Sequence, residues 1–257
     1  MKRLLIKDLL KWKNKAGRKP LILQGARQVG KTWLLKEFGA EHFDEVCYIN
    51  FERSQPINQI FEGSISPQRI IEQLSVFHGK VIQPEKTLII FDEVQEVPRA
   101  LTSLKYFAEE APEYAICCAG SLLGVALHQG TSFPVGKVEF LTLQPLSFQE
   151  FLMANGEDML VDYILKGNLE VAPFAEKLQD YLKSYFVIGG MPAAVQRWLD
   201  VRDYFEVEEV QKQLLSAYED DFSKHAPSTL IAKIRYVWQS IPSQLAKENK
   251  KFIYGLV

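Results

Sequence analysis

The chain has 257 residues, enough for one large domain or two modest domains with a buried core. Hydrophobic residues make up 47% of it and charged residues 24%, which excludes a largely disordered chain. The net charge of −2, from 30 basic and 32 acidic residues, favours neither a nucleic acid nor an anionic membrane as a partner. The apolar runs are too short for a membrane span or a signal peptide.

The first 150 residues alternate short apolar runs with amphipathic segments. Five strands are predicted, at residues 20–24, 46–51, 87–92, 114–119 and 138–143. Helices are predicted between them at residues 31–38, 67–78 and 100–110. Strands that are apolar throughout are typical of a parallel sheet covered by helices on both faces. The pattern therefore predicts an α/β fold.

A glycine-rich loop separates the first strand from the first helix. It matches the phosphate-binding pattern G-x-x-x-x-G-K-[ST] at every fixed position, with Gly25, Ala26, Arg27, Gln28, Val29, Gly30, Lys31 and Thr32. The glycines allow a tight turn that directs backbone amides at a phosphate, and the helix adds its positive N-terminal end. We expect Lys31 to reach the β- and γ-phosphates of ATP and Thr32 to bind Mg²⁺. The strand before the loop and the helix after it favour this interpretation over an incidental glycine turn.

The third strand ends in two acids, Asp92 and Glu93. The carboxyl ends of parallel strands lie at the edge where such a loop binds phosphate. We expect Asp92 to hold the magnesium through its water shell. Glu93 is expected to act as general base on the water that attacks the γ-phosphate. The alternative is that Glu93 only caps the following turn.

Two further parts of a catalytic site are less well defined by the sequence. Ser121, just after the fourth strand, can bond the γ-phosphate or the attacking water, or it can cap the helix that follows. Both roles stay open. A cation that stabilises the transition state is not identified, because each of the candidates fits a solvated surface charge. These are Arg27, Arg53, Arg99 and Lys137.

The cysteines and histidines suggest no metal chemistry. Cys47, Cys117 and Cys118 lie in apolar runs, which predicts buried thiols in a reducing cytoplasm. The four histidines have no ligand spacing with one another or with the cysteines. We predict no transition-metal site.

After Pro145 the periodicity becomes helical. Ser147 and Glu150 have the spacing of a capping box, which predicts a helix start. Gly189-Gly190 is a predicted joint between helices. Further helices are predicted at residues 174–187, 191–199, 204–224 and 228–240.

Five segments together resemble the archaeal and bacterial ATPases of the extended AAA type, which join an AAA-like core to a C-terminal domain of unknown function. The segments are Gly25–Thr32, Asp92-Glu93, Ala119–Ser121, Gln144–Phe151 and Gly189–Pro192. The resemblance covers essentially the whole chain. It implies a P-loop sheet of order 5-1-4-3-2, with the Ser121 strand between the phosphate-loop strand and the acidic strand.

The sequence departs from this family in two places. Gly136-Lys137 stands where the family often has Gly-Arg, so an arginine-dependent role does not carry over. Family members typically continue through a winged-helix-like segment into a nuclease-like fold. We therefore expect an ATPase core at 1–154, a helical lid-like region at 155–226 and the start of a truncated winged helix at 227–257. Two ordinary packed helices are the alternative for the last part.

Three functional hypotheses follow. The first is a Mg²⁺-dependent ATPase whose hydrolysis drives a conformational switch, acting on a protein partner or as a homo-oligomer. The second is a slowly hydrolysing module that signals by its nucleotide state. The third is a DNA-binding regulator that uses Ser243–Asn249, which the charge balance supports only weakly.

Overall fold

The structure is a computed structural model that describes residues 1–53, 55–120, 134, 136–167, 172–226 and 228–246. Contacts divide the chain into two compact units, Met1–Pro192 and Ala193–Val257. Each unit is described by itself. The domain boundaries predicted after residues 154 and 226, and the winged-helix interpretation of 227–257, stay predictions.

The first unit is built on a five-stranded sheet in which all paired strands are parallel. The strands are β1 (Leu21–Gln24), β2 (Glu45–Asn50), β3 (Thr87–Asp92), β4 (Ala115–Ala119) and β5 (Glu139–Thr142). Their order is β2-β3-β4-β1-β5, which confirms the predicted order 5-1-4-3-2. Asn50, Asp92 and Ala119 occupy one register row, so the carboxyl ends of three strands meet at one edge.

Helices connect and cover these strands. In the described part of the first unit they are α1 (Ile6–Lys13), α2 (Lys31–His42), α3 (Gln55–Asn58), α4 (Pro67–His78), α5 (Pro98–Glu110), α6 (Phe148–Ala154), α7 (Asp158–Leu165) and α8 (Ala175–Ile188). Short 3-10 turns occur at Gln59–Phe61, Val94–Glu96 and Ala172–Phe174. The predicted helices begin within two residues of the observed ones. Helix α1, which buries Leu9 and Trp12, was not predicted.

Two hydrophobic clusters pack against the sheet. One contains Ile49 and four phenylalanines, of which Phe51, Phe61 and Phe91 meet edge to face at centroid distances of 5.4 to 5.8 Å. The other contains Leu88 and Ile90, together with residues of the glycine-rich loop and of α2. Alternate residues of β3 thus enter different clusters, and all six are buried. This agrees with the prediction of a sheet covered on both faces.

The three cysteines are buried and free, which confirms the prediction of buried thiols. Burial raises the pKa of Cys47 to about 12 and that of Cys117 well above the ordinary value. Such thiols stay protonated at neutral pH and are poor nucleophiles. The predicted cytoplasmic location stays a prediction.

The second unit is helical in its described part. Helix α9 (Pro192–Val201) leads into it, and α10 (Tyr204–His225) and α11 (Ser228–Leu245) pack against each other. The rings of Tyr218 and Trp238 stack across the two helices at 6.0 Å. The predicted end of α11 at Ser240 is wrong, because the helix continues through Pro242 to Leu245. In the described residues, no helix is both long enough and apolar enough to cross a membrane.

Candidate active site

The glycine-rich loop, residues 25–32, connects β1 to α2 at the carboxyl edge of the sheet. Gly25 has a φ of +149°, and a Cβ there would collide with the carbonyl oxygen of Leu143. Gly30 has a φ of +93° at the start of α2. Both positions therefore require glycine. Val29 is fully buried, so the middle of the loop is anchored in the core.

The side chain of Lys31 lies along the first half of the same loop. Its Nζ donates to the carbonyl oxygens of Gly25 and Ala26, both at 2.9 Å. The residue is only 8% exposed. This burial lowers the pKa of Lys31, and the charges of Glu93 and Asp92 act in the opposite direction. The ammonium group is thus held next to the acidic end of β3.

Thr32 and Asp92 lie side by side. The threonine hydroxyl is 3.1 Å from Oδ1 and 3.0 Å from Oδ2 of the carboxylate, across 60 residues of sequence. Asp92 is 4% exposed. A hydroxyl and a carboxylate are hard oxygen ligands of the kind that Mg²⁺ prefers, and Mg²⁺ usually completes its shell with water and phosphate. The two predicted ligands therefore fit this metal. In the part of the chain that the structure describes, no three His, Cys, Asp or Glu side chains converge on a fuller metal cage.

Two residues of β2, Tyr48 and Asn50, lie next to Asp92 and were not predicted as site residues. The Tyr48 hydroxyl donates to Oδ2 of Asp92 at 2.7 Å, and the Asn50 amide lies 3.5 Å from the same oxygen. Burial raises the pKa of Tyr48 to about 12, so the phenol is a donor at neutral pH. The Lys36 Nζ sits 3.4 Å from the centre of the tyrosine ring. The sequence held one indication that these residues lie near the site, because the predicted strand order makes β2 the neighbour of the acidic strand.

Glu93 follows β3 in the left-handed region of the backbone, with a φ of +52°. A non-glycine residue in this conformation is uncommon and is often functional. Glu93 is the N-cap residue of the turn at Val94–Glu96, but its side chain makes no capping hydrogen bond to that turn. Instead, Oε2 of Glu93 accepts a hydrogen bond of 2.6 Å from the Gln95 amide. Gln95 was not predicted as a site residue.

The other candidates are distributed as follows. Ser121 lies outside the described residues. Arg99 donates to the carbonyl oxygens of Phe61 and Gly63, and Lys137 pairs with Glu109 at 2.8 Å. Arg99 and Lys137 thus have structural partners.

Two of the five segments that carry the resemblance, residues 144–151 and 189–192, meet at the start of α6. Ser147 and Glu150 form the predicted capping box, which is confirmed. The Leu146 amide donates to the carbonyl oxygen of Gly190 at 2.6 Å, and a Cβ on Gly190 would collide with the carbonyl oxygen of Leu146. Residues 144–151 and 189–192 are therefore one packed contact, with glycine required at its centre.

Several solved structures are similar to this chain at low identity. A Walker-type ATPase of Pyrococcus abyssi is 16% identical with a TM-score of 0.48, and 93% of this chain aligns with 76% of it. PCH-2 of C. elegans is 15% identical with a TM-score of 0.42, covering 82% and 65% of the two chains. ORC2 of Aeropyrum pernix is 15% identical with a TM-score of 0.40, covering 62% and 52%. No curated protein sequence matches.

Family models match both parts of the chain. A domain of unknown function (DUF8612) matches residues 179–257. The AAA domain model matches residues 17–152, more than half of the chain, and spans the glycine-rich loop, the acidic strand and all five strands of the sheet. The chain therefore belongs to the AAA domain family.

Proposed function

We propose that this chain binds ATP with Mg²⁺, hydrolyses it to ADP and phosphate, and uses the cycle to drive a conformational change. The contact between Thr32 and Asp92 carries the proposal, because it joins the phosphate loop to the acidic strand at 3.0 to 3.1 Å. Membership of the AAA domain family supports nucleotide chemistry at this edge of the sheet.

Each side chain has a separate role in the proposed reaction. Lys31 binds the β- and γ-phosphate oxygens, and Thr32 and Asp92 hold the metal, Asp92 through water. Bound Mg²⁺ supplies positive charge that neutralises the phosphate oxygens. Ser121 is proposed to bond the γ-phosphate or the attacking water.

Glu93 is the proposed base. It accepts a proton from water as the water oxygen attacks the γ-phosphorus, and the bond from that phosphorus to the β–γ bridging oxygen breaks to release ADP. The hydrogen bond from Gln95 fixes one oxygen of this carboxylate. The other oxygen is proposed to accept the proton of the water.

The first test removes the lysine. Lys31→Ala should weaken ATP and ADP binding at least tenfold, since a charge-assisted contact to phosphate is lost. Titration calorimetry measures the affinity directly. Lys86→Ala, at an exposed lysine before β3, is the matched control and should bind like the parent. Unchanged affinity in Lys31→Ala would remove the phosphate-loop assignment.

The second test separates binding from hydrolysis. Glu93→Gln keeps the shape of the side chain but loses the base, so nucleotide affinity should persist while kcat falls by roughly a hundredfold or more. Glu96→Gln, three residues further on and exposed, should keep parental turnover. If Glu93→Gln hydrolyses ATP like the parent, Glu93 is not the base. If the parent itself binds ATP without measurable turnover, the signalling-module hypothesis replaces the ATPase.

A further inference from the structure

Arg3 is a buried cation that joins separate segments of the first unit. Its Nε donates to Oε1 of Glu150 at 3.1 Å, its Nη1 to the carbonyl oxygen of Val29 at 2.9 Å, and its Nη2 to the carbonyl oxygen of Gln144. Arg3 is 7% exposed and Glu150 5%. A buried charge is unfavourable unless it is paired and hydrogen-bonded, and Arg3 meets both conditions.

Glu150 fixes this arginine in place. Its Oε1 also accepts from the Leu4 backbone amide at 2.7 Å, and its Oε2 accepts from the Ser147 amide at 2.9 Å. One carboxylate thus closes the capping box of α6 and holds the N-terminal segment. The position of Arg3 therefore depends on the first turn of α6 as well as on the N-terminal segment.

The bond from Arg3 to Val29 acts on the phosphate loop itself. A peptide unit is planar and trans, so the carbonyl of Val29 and the N–H of Gly30 point in opposite directions. While Arg3 holds the carbonyl on its own side, the Gly30 N–H is directed to the other side. Glycine at position 30 has wide conformational freedom, so this peptide unit can rotate when the bond is lost.

We propose that Arg3 is a positioning residue of the phosphate loop, which orients the Val29–Gly30 peptide so that the Gly30 N–H faces the bound phosphate. This inference rests on the proposed function, and it gives Glu150 a second task beyond the helix cap. A guanidinium is required because one planar fork serves a carboxylate and two carbonyls at once.

Arg3→Lys is the main test, because lysine keeps the positive charge opposite Glu150 but cannot bond all three acceptors. Arg3→Ala is the more severe variant. Ser147→Ala is the control, since it removes the capping hydroxyl and leaves the bonds of Arg3 in place. ADP affinity is measured by calorimetry and KM and kcat for ATP by steady-state kinetics, at a temperature where circular dichroism shows each variant folded.

We expect Arg3→Lys to bind ADP about tenfold more weakly, with a rise in KM that exceeds the fall in kcat, while Ser147→Ala keeps parental affinity. A purely structural arginine would lower the melting temperature and leave ADP affinity and KM unchanged, and that result overturns the inference. Lys31→Ala, run in parallel, separates the two proposals. If Lys31→Ala loses ADP binding but Arg3→Lys does not, only the role of Arg3 is wrong. If neither variant changes binding, the proposed nucleotide site is wrong as well.

Discussion

At the scale of single residues, the hydrogen bonds of Asp92 bear on the proposed metal site. The carboxylate accepts hydrogen bonds from Thr32 and from Tyr48, and Asn50 lies within 3.5 Å. Thr32 and Asp92 are both proposed to hold the metal, so the β2 side chains are the partners that can keep the carboxylate oriented when the metal binds. Loss of a residue that orients a metal-binding group typically lowers metal affinity or activity by about 10- to 100-fold.

Tyr48→Phe should therefore raise the Mg²⁺ concentration needed for half-maximal Mg²⁺-dependent ADP binding by roughly tenfold. The ring and its contact with Lys36 remain, and only the donor to Asp92 is lost. ADP binding without Mg²⁺ should stay the same. The measurement is a calorimetric ADP titration at a series of Mg²⁺ concentrations.

Tyr114→Phe is the matched control, because Tyr114 precedes β4 at the opposite end of the strands and should leave the Mg²⁺ dependence unchanged. An unchanged Mg²⁺ dependence in Tyr48→Phe would mean that the hydrogen bond to Asp92 plays no part in metal binding.

The sequence predicted the residues of this site that form a contiguous motif and missed those that reach it through tertiary contacts. The loop at 25–32 and the acids at 92–93 carry their spacing and context in the sequence. Tyr48 and Arg3 have no such signal in the sequence, because their hydrogen-bond partners lie 44 and 147 residues away. The contact of Tyr48 depends on the strand order, and that of Arg3 depends on where α6 starts. Gln95 is adjacent to the motif, but its bond to Glu93 depends on the left-handed backbone at Glu93.

At the scale of elements, the contact between residues 144–151 and 189–192 links the end of the sheet to the end of α8. The Tyr185 hydroxyl donates to the Leu146 carbonyl oxygen at 2.7 Å, and its ring packs on Phe148 and Phe151. The Leu146 amide bonds Gly190. The close approach leaves no room for a side chain at position 190.

Gly190→Ala should destabilise the fold by about 2–4 kcal/mol, from the steric collision and the loss of one buried hydrogen bond. Gly189→Ala adds its Cβ in open space and should cost about 1–3 kcal/mol, the strain of a backbone conformation that essentially only glycine adopts. Urea denaturation of both variants gives the comparison. Gly190 does not have a positive φ, so a loss near zero for Gly190→Ala would mean that the contact at Leu146 relaxes without cost.

Element boundaries were predicted best where a local signal marks them. The capping box marks the start of α6, and proline at the first position marks α4. The predicted end of α11 at residue 240 was too early, since the helix continues through Pro242 and the Ala246 amide donates to the Pro242 carbonyl oxygen at 3.0 Å. Helix α1 lacks a capping side chain, and its burial of Leu9 and Trp12 is a tertiary property.

At the scale of the whole molecule, the balance of charge bears on partners. With 30 basic and 32 acidic residues, the chain lacks the cationic excess that gives salt-dependent affinity for DNA. We expect duplex DNA at physiological salt to leave ATP turnover unchanged. Stimulation by DNA that disappears at higher salt would contradict this and would revive the DNA-binding hypothesis. The same assay at a series of protein concentrations tests for an active homo-oligomer. If the oligomer is the more active form, turnover per chain should rise with protein concentration.

The hydrogen bonds of Arg3 also affect the order in which parts of the protein can fold during synthesis. Arg3 leaves the ribosome first, but Glu150 follows 147 residues later. At about 5–20 residues per second, this interval is about 7–30 s. Once residue 32 has been made, the phosphate loop is complete in sequence, but until residues 143 and 150 follow it lacks both the β5 end that contacts Gly25 and the partner of Arg3. Nascent chains that end before residue 150 should bind nucleotide weakly. ATP binding would therefore mark a late stage of folding on the ribosome.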